Sequence, residues 1–200
     1  YEGAEKLEGM IFWSASFSGA KAVPGSYSVS LLINGEEKVQ KFDILADPRS
    51  ESSVQDMQKQ FDFVNEVNQT VDIAHKAIKK IRTIATKLTD FIKQNETDST
   101  ATKLVDQAKE IKENLINVEK TLYQTQNRSN QDPLNFPIRL TNKLGHLNRL
   151  ITMDDFPPTN QDIEVKRFLT LEVEKAIGLY NKLIENDVAA FNTNFKNEKR

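Results

Sequence analysis

From Ser52 to Gln94 the chain runs without Pro or Gly, and its apolar residues recur at Val54, Met57, Phe61, Val64, Val67, Val71, Ala74, Ile78, Ile81, Ala85, Leu88 and Ile92. Steps of three and four place them on one stripe of a single helix. Ser52 or Ser53 offers an N-cap hydroxyl, and Asp56 puts a carboxylate in the first turn, where the helix dipole favours negative charge. Such a rod, roughly 60 Å long at ~1.5 Å per residue, cannot bury its stripe against itself. Its partners are either a second copy of the same helix in a homodimeric coiled coil or helices from the rest of the chain, and three further seams make the internal bundle the simpler solution.

The rest of the chain carries those three seams. After the polar turn Asn95 to Ser99, which offers Asp98 or Ser99 as a cap, the seam Leu104, Ala108, Ile111, Leu115, Val118 and Leu122 predicts a helix over about 99–126. The short connection predicts antiparallel packing on the first helix. Asn127 to Pro137 is polar and twice interrupted by Pro, hence a loop. A third helix over about 136–153 carries Ile138, Thr141, Leu144, Leu147, Leu150 and Ile151 as its inner stripe. Thr159 and Asp162 resemble a capping box opening a fourth helix over about 160–191, with Ile163, Phe168, Leu169, Val173, Ala176, Leu179, Tyr180, Leu183, Ile184 and Val188 as its apolar residues. The polar tail from Asn192 to Arg200 is expected to fray.

Residues 1–47 differ in kind. Five of the chain's 7 glycines lie here, beside two runs of strand-forming residues, Met10–Phe17 and Tyr27–Ile33. Asn34-Gly35 predicts a two-residue type I′ turn, because both central positions need positive φ. That turn sets Ile33 opposite Glu36 and Tyr27 opposite Phe42, with Tyr27, Val29, Leu31, Ile33, Phe42 and Ile44 on one face. Pro24-Gly25 leads into the hairpin and Asp47-Pro48 ends it. The expected fold is therefore α+β and mostly α: a small antiparallel β segment over 1–47, short of strands, then an antiparallel four-helix bundle over 48–200. Three or four strands leave open edges to be covered by the helices, a partner or upstream chain. Tyr1 stands where an initiator Met would, which predicts a processed or excised piece of a longer protein.

Chemistry has little to stand on in this sequence. A net charge of -2 with the basic residues dispersed offers no electrostatic footprint for nucleic acid. No apolar run is long enough to span a membrane, and the mixed polar faces lack the basic stripe of a membrane-surface helix. There is no Cys for a disulfide, a thiolate site or a nucleophile. The 2 histidines, His75 and His146, sit in no H-E-x-x-H or E-x-x-H pair, so neither metal nor cofactor is expected. The acid pairs Asp154-Asp155, Glu36-Glu37 and Glu172/Glu174 fall in turns or on solvated helix faces. Glycoside hydrolysis would need two carboxyls held ~5 to 10 Å apart in an aromatic-lined cleft. No catalytic residue is assigned. The remaining candidate is an aromatic platform for a sugar or a partner: Trp13, with Phe12, Phe17 and Tyr27.

Three stretches resemble one family pattern. They are Glu8-Gly-Met-Ile-Phe-Trp13 with Val23-Pro-Gly-Ser-Tyr-Ser-Val-Ser-Leu31; Asp47-Pro-Arg49; and Asn127 to Leu144, followed by Pro158-Thr159 and Asp187 to Asn192. The pattern resembles the C-terminal region of secreted bacterial proteins that begin with a sortilin-like (VPS10-type) β-propeller of BNR or Asp-box repeats, often labelled glycosyl hydrolase. The Pro24-to-Leu31 run is also similar to the closing strands of immunoglobulin-like accessory modules. The resemblance implies an extracellular or periplasmic, non-catalytic accessory module whose partner is the upstream propeller, a carbohydrate or another exported protein. Any hydrolase site would lie in the propeller, since no Asp-box occurs in this sequence. The alternative is a carbohydrate-binding or catalytic domain of a glycoside hydrolase, built around Trp13.

Overall fold

The computed structural model describes residues 1–198. It is mostly helical, with an N-terminal two-strand antiparallel hairpin followed by four helices packed together: β1 (Gly25–Ile33), β2 (Glu36–Ile44), α1 (Val54–Asn95), α2 (Thr102–Leu122), α3 (Leu140–Ile151) and α4 (Asn160–Lys182). A π-helical turn, Leu183–Val188, carries α4 on into α5 (Ala189–Glu198). The tail expected to fray is thus helical as far as Glu198, where Phe191 and Phe195 meet Phe91 at 5.3 and 5.6 Å between ring centroids. Lys199 and Arg200 lie outside the described residues.

Helix α1 begins as its sequence dictates. The Ser53 hydroxyl accepts from the Asp56 amide at 3.1 Å, and Lys59 pairs with Asp56 one turn on. Its stripe from Val64 through Val67, Val71, Ala74, Ile78 and Ile81 to Leu88 is buried, as is the whole α2 seam from Leu104 to Leu122. The capping box of α4 is present, with Thr159 and Asp162 exchanging side-chain and backbone bonds.

The order in space is set by how the chain passes from α2 to α3. Arg82 meets Glu119, Asn68 meets Asn148, and Gln60 donates to the Ile151 carbonyl. These pairs place α2 against the second half of α1 and α3 against the first half, both running opposite to α1. The Thr141 hydroxyl donates to the Leu122 carbonyl at 2.9 Å, so the start of α3 closes the end of α2. Contacts between Lys166 and Glu66, and between Phe191 and Phe91, show the last rod running parallel to α1. The bundle is antiparallel in that α2 and α3 oppose α1 and α4.

Several helix ends differ from expectation. Asp98 accepts from the Thr100 amide and hydroxyl, closing a turn rather than capping α2, which starts at Thr102. Pro137 stands outside α3, its carbonyl held by Gln124 across the base of the 123–139 loop. Within that loop Asp132 accepts from the Arg128 and Ser129 amides and the Ser129 hydroxyl, and these bonds hold its carboxyl below the usual range. On the α3 and α4 stripes, Leu150, Ile163, Phe168 and Leu179 are exposed rather than buried.

The hairpin has the predicted register, with Tyr27 opposite Phe42 and Ile33 opposite Glu36. Asn34 (φ 49°) and Gly35 (φ 88°) make the type I′ turn. Gly35→Val should cost the hairpin roughly 1 kcal/mol or more through forced positive φ, and leave the helical circular dichroism in place. Equal loss of helix signal would show hairpin and bundle to be one cooperative unit.

Residues 10–17, grouped with the strand formers in the sequence, form no strand. They belong to a strap over residues 1–23 that lies on the helices; it doubles back so that the Ala4 amide donates to the Phe17 carbonyl, and it is held beyond that by side chains of α1, α3 and the loop after α2 and by the Gly145 carbonyl.

Candidate interaction surface

The strap is gripped along its length. The Glu5 amide donates to Asp72, the Ile11 amide to the Tyr123 hydroxyl, and the Trp13 amide to the Asn142 side chain, which donates in return to the Trp13 carbonyl at 2.8 Å. His146 Nδ1 donates to the Ser14 carbonyl, the Ser16 amide donates to the Gly145 carbonyl, and Asn68 donates to the Ser18 carbonyl. An extended segment has alternating donors and acceptors that must be met somewhere. Here α1, α3 and the loop after α2 meet them in place of a sheet. Asn68, Asn127, Asn142 and Asn148 are all buried for this purpose or to support it. Nothing local in the sequence marks Asn68, Asn142 and Asn148, because a polar residue on a helix normally signals solvent, and Asn127 lies in a polar loop.

The aromatic platform is dispersed. Phe17 is buried and Phe12 half-buried, packing edge-on to each other at 4.6 Å and against His75 and Tyr123. Tyr27 lies on the hairpin, stacks on Phe42 at 6.0 Å and donates its hydroxyl to the Val23 carbonyl. Trp13 alone among the four is exposed, to 40%. Phe12 and Phe17 therefore wedge the strap onto α1 and α3, and the four rings do not make one surface.

His75 sits beneath that wedge, fully buried, with Nδ1 donating to the Glu5 carbonyl and Nε2 without a hydrogen-bond partner. Burial pushes its pKa down, against the opposing pull of the Glu5 carbonyl and of the Asp72 and Glu5 carboxylates. Because the folded state disfavours the imidazolium, the stability this site contributes is complete above the unfolded value of about 6.5 and declines as pH falls below it. Urea titrations between pH 7 and pH 5 should show wild type weakening and His75→Asn, which keeps a donor toward Glu5 without titrating, staying flatter. Parallel curves would place the acid sensitivity elsewhere.

The acid pairs weighed for hydrolysis lie apart, in a turn, on the hairpin and on α4. Asp155 bonds Lys21, Asp154 accepts from the Phe156 amide, Glu172 pairs with Lys175, and Glu36 and Glu37 flank the hairpin turn on opposite faces. Among the described residues no group of three or more His, Asp or Glu gathers as metal ligands, and no helix is long and apolar enough to cross a membrane.

What stands out instead is the hairpin. Val29, Leu31, Ile33 and Phe42 on one face and Leu32 and Val39 on the other are all exposed, Leu32 to 72%. The strap and the Tyr27 and Lys21 contacts tether its base, while both strand edges remain open. No family model, no curated protein and no solved structure matches the chain.

Proposed function

We propose that the chain is a non-catalytic interaction module whose hairpin docks against a β-rich neighbour. The observation that carries this reading is the exposure of Val29, Leu31, Leu32, Ile33, Val39 and Phe42 on a ribbon of only two strands. An isolated two-strand ribbon is marginal in water, and apolar side chains clustered on such a ribbon mark a surface that another layer covers. Following the resemblance, the neighbour is a module of the same exported multidomain protein, one with an upstream β-propeller, and the chain is its extracellular or periplasmic C-terminal part. The helices then act as a rigid base, and the side-chain clamp on residues 5–18 fixes where the hairpin leaves it. The carbohydrate platform has less support, since Phe12 and Phe17 pack inward, Tyr27 stacks on Phe42 and only Trp13 is exposed.

Hydrogen exchange tests the reading. Amides from Tyr27 to Ile33 should exchange at least about tenfold more slowly in the longer exported protein that contains this chain than in the 200-residue chain alone. Equal rates in both would remove the hairpin as a docking element.

A further inference from the structure

We propose that the chain forms a two-fold dimer through α4, the groove between α4 and α2 receiving the α4 of a second copy. The groove is a cleft of about 490 Å³ whose lining includes Val118, Ala176, Leu179 and Leu183, with Asn117 on its rim. On the same side of α4, Phe168 is 60% and Leu179 is 59% exposed, although the amphipathic pattern assigns both to the bundle interior. The interior is already filled by Leu169, Val173, Ala176 and Tyr180, which occupy the arc of the helix turned toward α1 and α2. The second apolar edge is left over.

The occupant follows from the order of residues along that edge. Phe168, Glu172, Lys175 and Leu179 are spaced four, three and four apart, so at 3.6 residues per turn they fall within roughly one sixth of the helix circumference. Read in the opposite direction, apolar, acidic, basic, apolar becomes its own complement. An antiparallel copy centred between Val173 and Glu174 sets each Phe168 against the other chain's Leu179 and each Glu172 against the other chain's Lys175. A parallel copy in register would set like charges together. Self-complementarity under a two-fold axis is what an isologous interface requires.

In the single chain, Lys175 and Glu172 pair at 2.6 Å, with the Lys175 side chain 71% exposed, and an open pair of that kind adds little. In the dimer the two pairs join into a four-charge ring flanked by apolar contacts, and water is excluded from both sides of it. This surface is built from α4 and α2 and shares no residue with β1 or β2.

Sedimentation equilibrium of the 200-residue chain should show a reversible monomer–dimer equilibrium. Phe168→Ser should weaken it at least about tenfold, and because Phe168 is exposed the helical circular dichroism should not change. Glu172→Lys should weaken the dimer likewise, and Glu172→Lys combined with Lys175→Glu should restore it, which no loss of folding could mimic. A chain that stays monomeric at every concentration overturns the proposal. So does a dimer indifferent to Phe168→Ser and to charge reversal, and so does one abolished by Leu31→Lys instead, which would assign association to the hairpin.

Discussion

Replacing Ile78 with aspartate should lower stability by about 3 to 5 kcal/mol, because a carboxylate would be left unpaired in the centre of the α1 seam. Ile78 is fully buried, one turn from Ala74 and next to Ile81 in the same buried stripe. A domain of this size has only some 5 to 15 kcal/mol of total stability, so the variant should melt far below wild type or fail to fold at ambient temperature. The control is Ile73→Asp on the opposite side of the same helix, where the side chain is 54% exposed. It should change stability little. Thermal unfolding by circular dichroism compares the two, and matching melting points would mean that the buried stripe has been assigned to the wrong face.

The second large effect is expected at Gly145. A β-carbon added there would lie 2.6 Å from the Phe17 ring and 2.8 Å from the Ala15 side chain, while the Gly145 carbonyl holds the Ser16 amide. The helix backbone cannot retreat without losing the Asn142 and His146 bonds to the strap. Gly145→Val should therefore expel residues 10–18 from their groove and uncover Phe12 and Phe17, at a cost of about 3 kcal/mol from overpacking and lost burial. The diagnostic is where the damage falls. Limited proteolysis should cut within the strap while helices α1, α2 and α4 keep their ellipticity. A variant whose strap stays resistant would show that Phe17 has an alternative rotamer the groove can accept.

The two substitutions also divide what the sequence shows from what it hides. Ile78 can be recognised from spacing alone, since apolar residues every three or four positions over an uninterrupted stretch have one solution. The α2 seam, the Thr159 and Asp162 capping box, and the Asn34-Gly35 turn with its register are likewise local, and the structure has them where the pattern puts them. In each case the determining interactions connect residues a few positions apart.

Gly145, Asn142 and His75 could not be read that way. Their partners, Phe17, Trp13 and Glu5, are more than sixty residues distant in sequence. Whether an asparagine on a helix faces water or clamps a passing chain depends on what arrives opposite it. The same holds for Met10 to Phe17, whose composition suits a strand but whose neighbours are helix side chains. It holds also for Phe168 and Leu179, which the helical period assigns to the core although α1 and α2 have no room left for them. Periodicity determines that a helix has an apolar side; only the number and direction of its neighbours, here α2 and α3 laid end to end along α1, decide how much of that side is covered.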